Sequence, residues 1–332
     1  MNLQQRLVLL QRLGEYILSV SPELAAVKEK ASEQNGWFIP EFIDFQLQHL
    51  GREFLSPGKL DRWIGHYAIP SQPPSPKNVG IVMAGNVPLA GFHDFLSVFI
   101  SGHYQLIKAS SKDTALITHL ISVLKEWDSE VNQYITVADM VKGSDAYIAT
   151  GSNNSGRYFD YYFSKYPHII RRNRTSAALL TGHESPEELE KLADDVHLYF
   201  GLGCRNITKI YVPAGYDFVP LLESFKKYSH FEHHHKYKNN YDYQLAIMII
   251  NKIYYMTNGS ILLQENTSLF SPISQLNYEF YTDKTAVERS LEGHTDIQCF
   301  SGKGHIPFGQ TQRPALNDYA DKADTMQFLL TL

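Results

Sequence analysis

Apolar residues fall at helical spacing through the first part of the chain. Leu3, Leu7, Leu10, Leu13 and Ile17 recur at helical spacing, and Phe42, Phe45, Leu47 and Leu50 with their neighbours suggest another amphipathic helix. Ser56 ahead of Pro57 supplies a cap and a first-turn proline, which opens a further helix through Trp63 and Tyr67. The proline-rich link Pro70 to Pro76 ends this helical section. From Asn78 the period changes. Val79-Gly80-Ile81-Val82-Met83 reads as a buried strand, Leu89 to Ile100 as a helix, Tyr104 to Lys108 as a strand and Thr114 to Trp127 as a helix. Short β-like runs at Ile135 to Ala138 and Ala146 to Ala149 lead into an aromatic helix around Tyr158 to Phe163. This alternation predicts an α/β fold with a parallel sheet, whose ligands sit at the carboxyl ends of the strands. A second α/β section starts at about Thr175, with a polar helix from Pro186 to His197, the segment Gly201-Leu202-Gly203-Cys204 and a strand from Ile207 to Val212.

At 332 residues the chain exceeds the size at which one core usually stops growing, so two lobes with a cleft are expected. The patterning divides it into a helical section over 1–75 packing on the next lobe, a cofactor-binding lobe over 76–174, a catalytic lobe over 175–294 and a tail over 295–332 that returns to the core or to a dimer interface. A net charge of -5 gives no electrostatic reason to expect nucleic acid or an anionic membrane as partner. The two cysteines, Cys204 and Cys299, stand in different contexts, which argues against a disulfide and for a reducing compartment. Polar residues interrupt the first 21 positions, and no later run is long enough to span a bilayer, so a cytoplasmic protein without membrane insertion is expected.

Cys204 carries the most chemistry. It lies in Gly-Leu-Gly-Cys-Arg-Asn ahead of a strand, where the glycines admit close approach of a substrate. Arg205 beside it favours thiolate, and the Cys204 amide can donate to an oxyanion. A small buried hydrophobe is the bland alternative for Cys204 and the preferred reading for Cys299. Asn86, in Gly85-Asn86-Val87-Pro88-Leu89, is either an oxyanion donor at the sheet edge or a helix cap. Lys108 to Thr114 and Thr150 to Gly156 each end a strand and open a helix, an arrangement suited to a phosphate or ribose, although neither is a complete phosphate-binding fingerprint. Glu232-His233-His234-His235 reads as a solvated loop rather than a metal site, because consecutive side chains rarely converge on one ion.

In order along the chain, Gly85-Asn86-Val87-Pro88-Leu89, Lys108-Ala109-Ser110, Ala149-Thr150-Gly151-Ser152 and Gly201-Leu202-Gly203-Cys204 resemble the signature series of the aldehyde dehydrogenase superfamily. Within it the chain is most similar to the LuxC-type acyl-CoA reductases, over roughly residues 75 to 332, and the tail Phe308 to Asp321 adds to the likeness. The resemblance implies a Rossmann-like cofactor lobe, a catalytic lobe and a homodimer with some exchange of strands. It implies Cys204 as nucleophile, Asn86 as oxyanion donor, Lys108 and Ser110 at the adenosine ribose, and Gly151 and Ser152 against the pyrophosphate or nicotinamide of NADPH or NADH. The substrate implied is a fatty acyl thioester, its acyl group arriving either on coenzyme A or from an acyl-protein synthetase partner.

Two departures from the superfamily pattern bear on the reaction. Aldehyde-oxidising members carry a glutamate base in Glu-Leu-Gly-Gly, and Leu179-Leu180-Thr181-Gly182 reads as the corresponding stretch, with Glu184 nearby as a substitute. Ser268 to Pro272 stands where the family has Phe-Gly-Pro, with Glu265 slightly upstream. Loss of the base argues against acid formation and for a thioester route. The rival readings are an aldehyde dehydrogenase using Glu184, a catalytically silent subunit that binds an acyl-activating partner, and, more distantly, a metal-dependent hydrolase built on the histidines.

Overall fold

The computed structural model describes residues 1–332, which form two compact units, one of residues 1–173 and 315–332 and the other of residues 174–314. The first unit therefore takes in the helical N-terminal section, the strands up to residue 173 and the last 18 residues as one body. The expected helical section over 1–75 and the lobe over 76–174 fall together in this unit. The tail expected over 295–332 divides, since residues 295–314 belong to the second unit.

The first unit begins with four helices, α1 (Leu3–Leu18), α2 (Pro22–Gln34), α3 (Pro40–His49) and α4 (Pro57–Ile64). Local sequence starts each of them. Asn2 and Gln5 form a reciprocal capping box on α1, Ser21 caps α2, and prolines occupy the first turns of α2, α3 and α4. Then come β1 (Asn78–Val82), α5 (Phe92–Ser101), β2 (Tyr104–Lys108), α6 (Thr114–Trp127), the short α7 (Val131–Tyr134), β3 (Ile135–Val137), β4 (Ala146–Thr150), α8 (Asn153–Phe163) and β5 (His168–Arg171). The five strands are parallel in the order β3-β2-β1-β4-β5. The order reverses at β1, so the loops after β1 and β4 flank the switch point of the sheet. Leu10, Leu13, Phe95, Phe99, Ile107 and Leu120 share one buried cluster, which joins the N-terminal helices to the sheet.

Arg6 is fully buried within this cluster of elements. Its guanidinium donates to the carbonyls of Met1 at 2.8 Å, Ser71 at 3.3 Å and Ile100 at 3.1 Å, so it joins the start of α1, the proline-rich link and the last turn of α5. A cation at a helix C-terminus is electrostatically favoured. At the other end of the chain, Trp63 donates to the Tyr319 hydroxyl at 2.9 Å and Arg171 donates to Asp94 at 2.6 Å and to Thr325 at 2.7 Å, which binds the final segment to the first unit.

The second unit contains β6 (Thr175–Leu179), α9 (Pro186–His197), β7 (Ile207–Pro213), α10 (Val219–Ser224), α11 (His235–Ile250), β8 (Met256–Thr257), β9 (Leu262–Glu265), β10 (Gln275–Tyr281), α12 (Lys284–Leu291) and β11 (Ile297–Gly302). The last helix, α13 (Thr325–Leu330), lies in the first unit. The second sheet has the order β11-β6-β7-β10-β9-β8 and is parallel except between β8 and β9. No helix is long and apolar enough to cross a membrane.

Replacing Arg6 by Met keeps an apolar stem and removes the side-chain donor of the Ile100 carbonyl, whereas Ser71 still accepts from the Leu3 amide at 2.9 Å and Met1 from the Tyr134 hydroxyl at 3.2 Å. The expected loss is about 1–3 kcal/mol, the cost of one buried acceptor left unpaired. It is read as a fall in the urea midpoint at unchanged slope.

Candidate functional site

The sequence-predicted groups of the first unit stand at the carboxyl edge of its sheet. Asn86 is exposed in the loop that leaves β1, Lys108 is the exposed last residue of β2, Ser110 is half-buried just after it, and Gly151 and Ser152 follow β4. Loops 84–91 and 109–113 press against each other. A Cβ at Gly85 would collide with the Ser110 side chain, so only glycine permits this approach. The Met83 amide donates to the Lys108 carbonyl at 3.0 Å, and the Leu89 amide donates to Asp113 Oδ2 at 2.6 Å. Leu89 itself is buried with φ of 54°, in the left-handed region that branched residues avoid.

Asp113 occupies the N-cap position of α6 yet makes no capping hydrogen bond. It is 6% exposed and its Oδ1 is buried without a partner. Burial pushes its carboxyl up to about 7, against the pull of the Leu89 amide. The helix reading of this stretch is correct, but the aspartate holds the neighbouring loop instead of capping its own helix.

Lys108 Nζ donates to the Asp139 carbonyl at 2.7 Å, which anchors the connection from β3 to β4. Ser152 caps α8 by accepting from the Ser155 amide at 3.3 Å. A capped helix N-terminus, an exposed ammonium and a hydroxyl at the switch point of a parallel sheet fit the phosphates and ribose of a dinucleotide.

Cys204 belongs to the second unit, where it is half-buried in a tight turn just ahead of β7. It is therefore at the amino edge of that sheet. The chain reaches this turn from α9 through Tyr199, Phe200 and Gly201, which have φ of 56°, 54° and 77°. Two non-glycine residues in the left-handed region cost of order 1–3 kcal/mol each and persist only where their surroundings over-determine them. Phe200 is held 4.6 Å from the Phe231 ring and 4.5 Å from the His234 ring.

Asn206 closes the turn. Its amide donates to the Gly203 carbonyl at 3.1 Å, and its side-chain oxygen accepts from the Gly203 amide at 2.8 Å. Its side-chain nitrogen shares its two protons among the carbonyls of Asp195, Val196 and Leu198 at 3.2, 3.3 and 2.7 Å, where α9 ends. Ser176 holds the other side of the turn. Its hydroxyl donates to the Cys204 carbonyl at 3.0 Å and meets the Cys299 amide at 3.2 Å and the Cys299 sulfur at 3.0 Å. A hydroxyl has one proton, and a carbonyl can only accept it. The Cys299 S–H is therefore the donor in its contact with Ser176. Both cysteines are thiols, and Cys299 is buried in β11.

Glu184 does not stand where a base for Cys204 would be needed. In the parallel pair β6 and β7, Ser176 lies beside Ile207 and Leu179 beside Tyr211. Cys204 precedes β7, whereas Glu184 follows β6, a strand length of roughly 16 Å away at the opposite edge. The Glu184 carboxylate is also engaged locally, by the Thr181 amide at 2.5 Å, the Thr181 hydroxyl at 2.8 Å and the Gly182 amide at 3.0 Å. The sequence-based match of this stretch to the base-bearing segment is thereby corrected. The buried His197 is no alternative, because burial lowers its pKa to about 4 and its Nδ1 is bonded to the Ala193 carbonyl at 2.8 Å. No three His, Cys, Asp or Glu side chains converge as a metal site; His234 instead caps α11.

Sequence reading missed Asn206, Ser176 and the bracing role of Asp113. Asn206 was legible as an asparagine in a turn next to glycine, a residue suited to bonding nearby backbone. Ser176 had no local signal, because its partners come from residues 204 and 299.

The acyl-CoA reductase (LuxC) family profile matches residues 39–219, more than half of the chain. Among solved structures, the chain is similar to an aldehyde dehydrogenase of Mycobacterium tuberculosis complexed with NAD+, at 14% identity over 91% of this chain and 73% of that one, with a TM-score of 0.63. An NAD-dependent benzaldehyde dehydrogenase of Corynebacterium glutamicum matches at 12% identity over 91% and 76%, with a TM-score of 0.64. An NAD-dependent aldehyde dehydrogenase of Sinorhizobium meliloti matches at 12% over 95% and 73%, with a TM-score of 0.63. The fold is thus that of the aldehyde dehydrogenases. No curated protein sequence matches significantly.

Two measurements test these arrangements. Asn206→Leu orphans the Gly203 amide and the end of α9, so it should lower stability by about 2–4 kcal/mol and broaden the reaction of Cys204 with iodoacetamide from one rate to several. Asp113 has a folded-state pKa of about 7 against an ordinary value of 3.8, so between these values the folded chain holds a proton that the unfolded chain has lost. Its contribution therefore makes stability fall as the pH rises from about 4 to about 7. Asp113→Asn should remove that part of the slope in denaturation curves taken across the window.

Proposed function

The chain belongs to the acyl-CoA reductase (LuxC) family, and we propose from that membership that it reduces a fatty acyl thioester to the aldehyde through an acyl group carried on Cys204. The observation that carries the reading is the presentation of Cys204, half-buried in a turn that Asn206 and Ser176 hold from two sides.

The Cys204 thiolate attacks the acyl-CoA carbonyl, the new C–S bond forms, and the coenzyme thiolate leaves with the electrons of the old one. Asn86 and the Cys204 amide are the oxyanion donors in this reading. Lys108, Ser110, Gly151 and Ser152 would hold the nicotinamide cofactor, NADPH or NADH, which when bound would supply a hydride to the acyl carbonyl. Collapse of the tetrahedral oxyanion then carried on Cys204 would release aldehyde and return the thiolate. Both leaving groups are thiolates, so neither step needs a strong general acid. The position of Glu184 speaks against the rival reaction in which a base activates water and releases an acid. The reading takes free acyl-CoA as the acyl donor, an acyl-protein synthetase as the alternative source, and a cytoplasmic homodimer as the working form.

Incubation with a long-chain acyl-CoA should add one acyl mass to the intact protein. The adduct should be absent in Cys204→Ser and should disappear as aldehyde forms when NADPH or NADH is added. Release of free fatty acid in place of aldehyde would support the aldehyde dehydrogenase reading, and no adduct at any chain length would favour the silent subunit.

A further inference from the structure

The loop that carries Asn86 has a support that its own sequence does not supply. Its turning point is Leu89, buried and held at φ of 54°, a backbone state that a leucine does not adopt unaided. The only side-chain oxygen on the Leu89 amide is Oδ2 of Asp113, at 2.6 Å. Asp113 stands at the N-cap of α6, where an aspartate ordinarily accepts from the amides of its own first turn. Here it makes no such bond, and the carboxylate turns to the neighbouring loop, with its second oxygen buried and unpaired. A buried carboxylate with one hydrogen bond is a costly group. α6 would be served as well by serine or threonine. The second contact between the loops, Gly85 on Ser110, restrains the same segment from its other end. Asn86 lies between these two contacts and is exposed above them.

From this we infer that Asp113 is a positioning residue for the reaction, fixing the Asn86 loop through the Leu89 amide so that the Asn86 side chain is held ready for the developing oxyanion. The inference rests on the reading of Asn86 as an oxyanion donor. Asp113 touches neither substrate nor cofactor in this scheme. Its effect falls on the rate of acylation and not on the binding of acyl-CoA, because the donor matters most where charge develops.

The test is single-turnover acylation of Cys204 by a long-chain acyl-CoA, followed by intact mass, in four variants of the full chain. Asp113→Ser keeps a good helix cap but is too short to reach Leu89; it should slow acylation at saturating substrate by about 10- to 100-fold, with half-saturation within about twofold of wild type. Asp113→Asn keeps an acceptor in place and should stay within about threefold. Asn86→Ala should slow acylation by about 100-fold. The double variant Asn86→Ala with Asp113→Ser should be no slower than Asn86→Ala alone, because the brace has nothing left to position. Should Asp113→Ser fail to fold, Asp113→Glu, which shifts the carboxylate by one methylene, must show the same loss of rate. A wild-type rate in the folded Asp113 variant, or additive losses in the double variant, overturns the inference while leaving Asn86 in its role. A wild-type rate in Asn86→Ala removes the role of Asn86 itself, and the inference falls with it.

Discussion

Asn206 is fully buried, and its side chain bonds only backbone groups, three carbonyls at the end of α9 and the Gly203 amide, while its own amide donates to the Gly203 carbonyl. The second unit needs such a residue for a physical reason. α9 stops abruptly, the chain turns through two left-handed residues and a glycine, and β7 begins six residues after that glycine. Water is excluded from the carbonyls left at the helix end, so their only favourable partner is a side chain with spare donors. An amide is suited to this because it donates twice and accepts at the same time, and without charge. Charge would carry a desolvation penalty here that an amide avoids. The cysteine inherits its position from this arrangement.

The first unit solves a similar problem with a charged group. Asp113 fixes Leu89 through one oxygen and leaves the other unpaired, and the result is a carboxyl whose pKa is pushed up to about 7. The contrast follows from satisfaction: every polar atom of Asn206 has a partner, whereas half of the Asp113 carboxylate has none. A fully paired buried group rigidifies its surroundings at little cost, and a half-paired one retains an unfavourable desolvation energy.

Periodicity made much of the fold legible. α1 could be read from Leu3, Leu7, Leu10, Leu13 and Ile17, and α9 from the cap-proline start at Ser185-Pro186, because those signals are local. β5 and β6 were harder. They are separated by three residues, 172–174, and belong to different sheets; the sequence reading opens its second section at about Thr175 but places no strand over His168–Arg171. A local reading also misplaced Glu184. Order along the chain brings the stretch 179–184 and Cys204 into one lobe, but it does not say which edge of the sheet each occupies. Only the parallel pairing of β6 with β7 decides that. The division of the tail at residue 315 was likewise invisible, since it depends on the contacts of Tyr319 and Thr325 with Trp63 and Arg171.

The two cysteines show how backbone position separates one thiol chemically from another. Cys299 is on a buried strand, and the proton count at Ser176 makes its S–H a hydrogen-bond donor there. Cys204 contributes its carbonyl to the same serine, and this leaves its sulfur outside that bond. Ser176 therefore joins two cysteines while engaging the sulfur of one and the main chain of the other. A nucleophile requires a sulfur that can lose its proton and reach a substrate, and a structural cysteine requires neither. On the geometry around Ser176, Cys299 meets the description of a structural cysteine, and the sulfur that stays outside these bonds is that of Cys204.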